Sequence, residues 1–233
     1  MLKKIVITGG HGRFAQILKR DNKKLNILYP NKKELNILDV DSIKRYLKKN
    51  KPQYLIHAAA LSRPMNIHDK QISKSIDLNI IGTSNIVKIC SDFKIKLIYF
   101  STGYVYEGRV GNYKETDPVL PVNNYAWSKL GGECAVAMYK HSLILRITMC
   151  EKPFLHEYAF HDINANFIFH EEVVKIIPKI LDKTGVLNIG GKIQSIYSFA
   201  KKTNKNVKKK SGKKLFPKNV SMNVGKLNKI MKW

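Results

Sequence analysis

The stretch Lys3-Lys-Ile-Val-Ile-Thr-Gly-Gly-His-Gly-Arg-Phe-Ala15 decides the fold. Its apolar first half predicts a buried strand, the three glycines predict a tight turn, and the apolar spacing that begins at Phe14 predicts a helix. Glycines between a strand and a helix let the backbone approach a pyrophosphate at the helix N-terminus. Ala15 stands where the third glycine of the dinucleotide fingerprint would be, a replacement that the fingerprint tolerates. The stretch therefore predicts a dinucleotide-binding turn.

Strands and helices alternate along the following residues. The apolar patterns predict strands at 25–29, 54–59, 96–101 and 142–147, a helix capped by Asp41, and further helices at 76–91 and 124–139. Strands separated by helices imply right-handed crossovers. We therefore expect an α/β fold, with a doubly wound parallel sheet and helices on both faces.

The pattern weakens near residue 150. Residues 149–168 look irregular, a helix is predicted at 171–181 with Pro178 inside it, a strand at 185–189, and a further helix near Ser195. We expect residues 1–150 to form a dinucleotide-binding and catalytic domain. Residues 151–233 are expected to form a small, abbreviated substrate-binding cap with a lysine-rich end, in one compact unit with the first domain.

Charge is the most unusual feature of the composition. The formal net charge is +25, and only six of the 42 basic residues are arginine. The segment Lys201–Trp233 has twelve lysines and no acidic residue, including the run Lys208–Lys214. Such a segment attracts polyanions, including a sugar nucleotide. Nucleic acid is a less favoured partner, because the segment lacks interleaved aromatic residues before Phe216.

Cysteine usage and hydropathy indicate a protein of the cytosol. Cys90, Cys134 and Cys150 are widely spaced among apolar residues, which favours packed thiols over disulfides or a metal knuckle. His156 and His161 do not have the spacing of a helical zinc pair, and we expect no metal. No stretch approaches the roughly 18 apolar residues of a membrane span.

Positive charge after the second predicted strand indicates the cofactor. An NAD site usually has an acidic residue there for the ribose 2′-hydroxyl, whereas a 2′-phosphate requires positive charge. Lys32 and Lys33 follow this strand, and Arg13 lies in the glycine turn. These residues favour NADPH, with NADH still possible.

Tyr125 and Lys129 are the candidate catalytic pair. Their i, i+4 spacing puts both side chains on one face of a helix, from which the intervening Trp127 points away to pack elsewhere. A neighbouring ammonium stabilises a phenolate, so we expect Lys129 to lower the pKa of Tyr125 toward the working range for acid–base chemistry. Thr102 ends the fourth predicted strand, at the carboxyl edge where open α/β sheets bind ligands. Its hydroxyl is placed to hydrogen-bond a carbonyl that Tyr125 protonates.

Several motifs together resemble one enzyme family. They are residues 8–15, Leu38-Asp-Val40, His57-Ala-Ala-Ala60, Asn79 within 78–83, Ser101-Thr-Gly-Tyr-Val-Tyr-Glu-Gly108, Glu115-Thr-Asp117 and Tyr125-Ala-Trp-Ser-Lys129. Over residues 2–148 the chain resembles the extended short-chain dehydrogenases/reductases of the NAD-dependent epimerase/dehydratase superfamily, closest to the dTDP-4-dehydrorhamnose reductase branch. This resemblance implies a Rossmann-type sheet.

The resemblance also implies a role for each matching residue. Thr102, Tyr125 and Lys129 would be the catalytic triad. Ser62 and Tyr104, with Thr102, would face the sugar. The cofactor would contact residues of the glycine turn, the second and third strand ends and the triad, namely Gly9, Gly12, Arg13, Phe14, Lys32, Lys33, Asp39, Val40, Ala58, Ala59, Ala60, Ser101, Tyr125 and Lys129.

The chain departs from the branch in its substrate pocket. Gly103 stands where the branch usually has aspartate, and the sequence after Arg146 lacks the usual Thr-Ser-Trp segment. The cap is also shorter than usual. The resemblance therefore supports the chemistry more firmly than the identity of the sugar.

These observations favour an NADPH-dependent reductase of a keto group on a nucleotide-linked sugar, with a homodimer as a possible assembly. A sugar-nucleotide epimerase with tightly bound NAD(P) is an alternative, since the same triad can remove and return hydride. A non-catalytic NADP-binding regulatory subunit is another, because the regulatory subunit of methionine adenosyltransferase resembles the same branch. A dehydratase is disfavoured, because Gly103 and Tyr104 supply no acidic group beside Thr102.

Overall fold

The computed structural model describes residues 3–212 and 217–233, so Lys213, Lys214 and Phe216 lie outside the described residues. The strands are β1 (Lys4–Thr8), β2 (Asn26–Leu28), β3 (Tyr54–His57), β4 (Lys96–Phe100), β5 (Ser142–Ile147), β6 (Met149–Cys150), β7 (Tyr158–Phe160), β8 (Asn164–Ala165), β9 (Ile168–Phe169), β10 (Gly185–Ile189), β11 (Gln194–Ser195) and β12 (Lys208–Lys210). The α-helices are α1 (Arg13–Asp21), α2 (Val40–Asn50), α3 (Ile67–Lys70), α4 (Ile72–Ile76), α5 (Gly82–Asp92), α6 (Asn124–Ala137), α7 (His170–Ile180), α8 (Ile196–Lys201) and α9 (Gly225–Met231).

The described residues form a six-stranded central sheet in the order β2-β1-β3-β4-β5-β10. Every neighbouring pair in this sheet is parallel. The predicted doubly wound α/β sheet is thus confirmed. Its strand order reverses at β1, which lies between β2 and β3, so the crevice beyond the carboxyl ends of β1 and β3 is the expected ligand position.

Apolar side chains cover both faces of the sheet. On one face Phe14 and Leu18 of α1 pack in a core that also holds Val173 and Ile177 of α7. On the other face the core is built from α2, α5 and α6, with Ile43, Leu47, Ile86, Ile89 and Val136 buried. Burial on both faces explains why the parallel strands read as continuous apolar runs.

Several element boundaries differ from those predicted. β3 and β4 end earlier, which leaves Ala58, Ala59 and Ser101 in loops at the edge of the sheet. The helix predicted at 76–91 consists of α4, a π-helical turn over Asp77–Ile81, and α5. The prediction that Asp41 caps α2 is wrong, because Asp39 is the N-cap and its carboxylate accepts from the Ser42 amide at 3.0 Å.

The C-terminal part is more regular than predicted. Residues 149–168 contain four strands of two or three residues, which are too short to produce a periodic pattern. β6 pairs with β9, and β7 pairs with β12 from the lysine-rich segment. α7 and β10 return to the central sheet, so the chain after residue 150 also contributes to the main core.

Two surface positions correct the sequence analysis. Trp127 does not pack inside the protein, since it is 51% exposed. Cys134 is also exposed, whereas Cys90 and Cys150 are buried. Both residues lie on the exposed face of α6. Their apolar character alone does not show that this face points to solvent. Within residues 3–212 and 217–233, no helix is long and apolar enough to cross a membrane.

Candidate active site

The glycine turn joins β1 to α1 at the reversal of strand order. Gly9 has φ +68°, and a Cβ there would lie 3.0 Å from the backbone of Ala59. The Gly12 amide donates to the Gly9 carbonyl at 2.7 Å and closes the turn. Gly12 is also the N-cap of α1, and no described side chain caps this helix end. Free amides at the end of a helix, beside a backbone without side chains, fit a pyrophosphate.

Gly10 is a further glycine of the turn that the sequence analysis did not select. A Cβ at this position would lie 2.6 Å from the Tyr29 carbonyl carbon and 2.7 Å from the Pro30 carbonyl oxygen. The turn therefore touches the loop that follows β2. This contact places the β2 loop where an adenosine ribose would lie in a dinucleotide fold.

The β2 loop carries the predicted 2′-phosphate ligands. Lys32 and Lys33 are both exposed. Glu34, the nearest acidic residue, accepts from the Asn31 amide at 2.8 Å and is thereby held within the loop. Asp39 and Val40, predicted beside the adenine, form the start of α2, where Asp39 acts as the helix cap.

Arg13 does not join the two lysines. Its guanidinium donates to the Ser62 hydroxyl at 3.3 Å and pairs with Glu151 at 3.0 Å. Ser62 follows β3 and Glu151 follows β6, whereas the lysines follow β2. Arg13 and Ser62, predicted to bind the cofactor and the sugar respectively, are thus brought together.

Thr102 and Tyr125 meet at the carboxyl edge of β4. Thr102 accepts from the Tyr104 amide at 3.2 Å, and its hydroxyl acts on the Tyr125 phenol, whose pKa it lowers. The first turn of α6 carries Tyr125, and the Asn123 side chain caps this turn by accepting from the Ala126 amide at 2.8 Å.

Burial dominates the acidity of Tyr125. It raises the pKa of the phenol to about 12, against the opposing effects of the Thr102 hydrogen bond and the charges of Arg63 and Arg13. The prediction that a neighbouring cation lowers this pKa below its ordinary value is wrong. The reason is that burial destabilises the phenolate more than the Thr102 hydroxyl and the two arginine charges stabilise it.

Lys129 is buried on the same helix, one turn after Tyr125. Its ammonium lies 4.2 Å from the centre of the Tyr99 ring, and its carbonyl accepts from the Tyr99 hydroxyl at 3.0 Å. Burial lowers the pKa of Lys129 from 10.5 to about 7, and the charge of Glu133 opposes that decrease. The Lys129 side chain can therefore change between ammonium and amine near neutral pH.

A buried chain of polar side chains begins at Ser101, next to Thr102. Ser101 donates to Glu133 at 2.6 Å, and Glu133 accepts from Arg146 at 2.6 and 3.0 Å. Arg146 in turn donates to the Tyr106 hydroxyl at 2.8 Å. Ser101, predicted to contact the cofactor, therefore connects the site to this buried ion pair.

Buried hydrogen bonds also fix the loop that follows β3. His57 contacts the Thr8 hydroxyl at 2.7 Å and the Thr83 hydroxyl at 3.0 Å, and burial lowers its pKa to about 3. Asn79 accepts from the Leu61 amide at 2.8 Å and donates to the Leu61 carbonyl at 2.9 Å. These bonds hold Ala58, Ala59 and Ala60 along the crevice.

Gly103 is enclosed where the resembling enzymes usually have aspartate. A Cβ on Gly103 would lie 2.8 Å from the Thr148 hydroxyl and 2.9 Å from the Met222 sulfur. Met222 is fully buried. A carboxylate does not fit here without displacing both neighbours, so this part of the pocket differs physically from that of the branch.

Arg63 and Glu151 are site residues that the sequence analysis missed. Arg63 pairs with Glu151 at 3.1 Å and acts electrostatically on both Tyr104 and Tyr125. The position of Arg63, just after the third strand, is a signal that could have been used. Glu151 follows a two-residue strand, and no sequence signal points to it. Within the described ranges, no group of three or more metal-binding side chains is present.

Comparison with known proteins gives a family match over most of the chain. Residues 3–151 match the RmlD substrate binding domain family. The chain is 36% identical over 102 residues to methionine adenosyltransferase 2 subunit beta of Xenopus laevis, covering 44% of this chain and 30% of that protein. It is 28% identical over 150 residues to dTDP-4-dehydrorhamnose reductase of Aggregatibacter actinomycetemcomitans, covering 62% and 51%. The chain thus spans about half or less of the length of these relatives.

Solved structures share the fold along nearly the whole chain. The dTDP-4-dehydrorhamnose reductase of Bacillus anthracis in complex with NADP has a TM-score of 0.85 at 22% identity, covering 98% of this chain and 91% of that one. WbmG of Bordetella bronchiseptica in complex with NAD and UDP has a TM-score of 0.77 at 18% identity, covering 100% and 90%. The resemblance inferred from the motifs is confirmed.

Proposed function

This chain belongs to the RmlD substrate binding domain family, and from that premise we propose that it is an NADPH-dependent reductase of a keto group on a nucleotide-linked sugar. The observation that supports the proposal is that Thr102 acts on the Tyr125 phenol at the carboxyl edge of the sheet, while Lys129 is buried one turn after Tyr125 on α6. When bound, the nicotinamide supplies the hydride. We propose the other roles from the side chains of this chain.

Tyr125 is the proposed proton donor to the carbonyl oxygen of the substrate. Its raised pKa keeps the phenol protonated, so it can donate to the carbonyl oxygen as negative charge develops there. Thr102 orients that oxygen through its hydroxyl. A protonated Lys129 then stabilises the phenolate that Tyr125 becomes, and it is placed one turn away on the same face of α6.

The test is oxidation of NADPH with a panel of 4-keto-6-deoxy sugar nucleotides. Wild-type protein should consume NADPH, and Tyr125→Phe should lower kcat by roughly 100-fold or more because the proton donor is lost. Tyr158→Phe is the matched control, since the Tyr158 ring is 47% exposed on β7. No oxidation with any substrate of the panel, or an unaffected Tyr125→Phe, would refute the reductase proposal.

The preference for NADPH is proposed from the β2 loop. Lys32 and Lys33 are exposed there, and the contact of Gly10 with Tyr29 brings that loop to the glycine turn. Replacing both lysines by alanine should raise KM for NADPH about tenfold or more and leave KM for NADH unchanged. Equal changes for both cofactors would contradict this assignment.

A second candidate is a non-catalytic partner subunit. It is favoured by the 36% identity to a protein named methionine adenosyltransferase 2 subunit beta. This candidate predicts copurification with another enzyme and a biological role that survives Tyr125→Phe. Turnover of a keto sugar that depends on Tyr125 would exclude it.

We propose that the protein forms a homodimer through the outer face of α6. Trp127 and Cys134 on α6 and Met138 at its C-cap lie at i, i+7 and i+11, and all three are exposed. Burying Trp127 and Met138 against a second copy would remove apolar surface from water. Analytical ultracentrifugation should show a dimer that Trp127→Lys converts to a monomer. A monomeric wild type would refute this assembly.

A further inference from the structure

Two arginines from different segments bind the same carboxylate beside the candidate active site. Arg13, the first residue of α1, lies 3.0 Å from Glu151, and Arg63, after β3, lies 3.1 Å from the same oxygen. The Glu151 side chain is 17% exposed, so this is a sheltered rather than a surface contact. Two positive charges share one negative charge, and the cluster keeps an excess of positive charge.

This cluster lies at the catalytic end of the crevice. The charges of Arg63 and Arg13 both act on the pKa of Tyr125, and that of Arg63 also acts on Tyr104. The predicted 2′-phosphate ligands follow β2, on the opposite side of β1 from the loop that carries Arg63. The two arginines are therefore closer to the substrate side than to the adenosine end of the cofactor site.

A buried histidine adjoins the same cluster. His170 is 5% exposed, and its ring packs edge-on against Phe14 with 5.8 Å between centroids. Its Nδ1 has no hydrogen-bond partner among the described residues. Burial lowers the pKa of His170, and the charges of Glu151, Glu171, Arg13 and Arg63 also act on it. A buried ring nitrogen without a partner is unfavourable, and a polar ligand atom that reached this nitrogen would satisfy it.

We infer that Arg13 and Arg63 form the binding site for the diphosphate of the substrate and that Glu151 occupies this site in the free protein. This inference rests on the proposed nucleotide-linked substrate. Guanidinium groups bind phosphate oxygens through paired N–H donors, and a carboxylate presents two oxygens of similar geometry. The incoming diphosphate must displace Glu151, so the glutamate lowers affinity and selects ligands with enough negative charge to replace it.

Isothermal titration calorimetry with UDP and with dTDP tests this arrangement without turnover. Glu151→Gln should bind these nucleotides about tenfold more tightly, because the internal competitor loses its charge. Arg63→Met should bind them about tenfold more weakly. Glu157→Gln is the matched control, since Glu157 pairs with Lys208 at 2.9 Å on the surface and is 61% exposed. Its affinity should equal that of the wild type.

Three results would overturn the inference. They are an unchanged or weaker affinity in Glu151→Gln, no binding of either nucleotide by any variant, and a tighter affinity for NADP+ in place of the nucleoside diphosphates. The last result would assign the arginines to the cofactor. Circular dichroism and the thermal midpoint of Arg63→Met verify that the variant is folded. Tighter nucleotide binding by Glu151→Gln in a protein that oxidises no NADPH would support the diphosphate site and reject the reductase proposal separately.

Discussion

Lys129 should cost the protein stability at the pH where it is charged, and Lys129→Met tests this directly. Lys129 is 3% exposed, and its pKa is lowered from 10.5 to about 7 because the interior solvates the charge poorly. Methionine has a similar length and carries no charge. The substitution therefore removes the buried charge while it keeps most of the packing against Tyr99.

The magnitude follows from proton linkage. Between about pH 7 and pH 10.5 the unfolded chain holds a proton on Lys129 that the folded chain has lost, so the free energy of unfolding rises with pH in this window. From pH 6 to pH 9 this group alone contributes a rise of about 2.7 kcal/mol. Lys129→Met lacks this contribution. The difference in free energy of unfolding between Lys129→Met and wild type should therefore favour the variant by about 2.7 kcal/mol more at pH 6 than at pH 9.

Urea unfolding at the two pH values measures the difference. Each protein is unfolded at equilibrium, and the free energies of unfolding are compared at constant m-value. Lys140→Met is the control, since Lys140 is exposed near the end of the same helix and should give the same difference at both pH values. If the difference between Lys129→Met and wild type does not change with pH, the buried ammonium does not destabilise the fold and the reasoning is wrong.

Two further predictions concern the frame of the site. Glu133→Ala should lower the free energy of unfolding by about 3–5 kcal/mol, because the buried charge of Arg146 loses the carboxylate that pairs with it. A loss below about 1 kcal/mol in urea unfolding would contradict this prediction. Gly10→Ala should destabilise by about 1–3 kcal/mol, because its Cβ would lie 2.6 Å from the backbone of Tyr29. An unchanged thermal midpoint would show that the β2 loop moves aside freely.

Local patterns predicted the parts of the site that a single element positions. The strand, glycine turn and helix of residues 3–15 are adjacent in sequence, and Tyr125 and Lys129 share one face of one helix. Thr102 follows the end of β4 at the carboxyl edge of the sheet, as its position in the sequence predicts, since parallel strands end at a common edge. Each of these predictions required only the side-chain periodicity of one helix or strand and the residue at which that element ends.

The missed features depend on contacts between distant segments. Glu151 meets Arg13 and Arg63 only after β6, β1 and β3 have assembled, and β6 has two residues and no periodicity. The acidity of Tyr125 depends on how deeply α6 and its neighbours bury the phenol, which the spacing to Lys129 does not reveal. The spacing of the two residues was predicted, but the direction of the Tyr125 pKa shift was not, because burial raises this pKa.

Arginine is found around the candidate site at positions where one side chain donates from several nitrogens. Lysine supplies all but six of the 42 basic residues, yet Arg13, Arg63 and Arg146 are the cations that bind Glu151 and Glu133 around the site. Arg146 donates to Glu133 through Nε and Nη2 and to Tyr106 through Nη1, a set of directions that a lysine ammonium at the end of a flexible stem cannot reproduce. Arg13 likewise reaches Ser62 and Glu151 with separate nitrogens. Arg146 is buried, whereas the side chains of Arg13 and Arg63 are 49% and 34% exposed, so in our proposal the pair on Glu151 is the one that a ligand can reach.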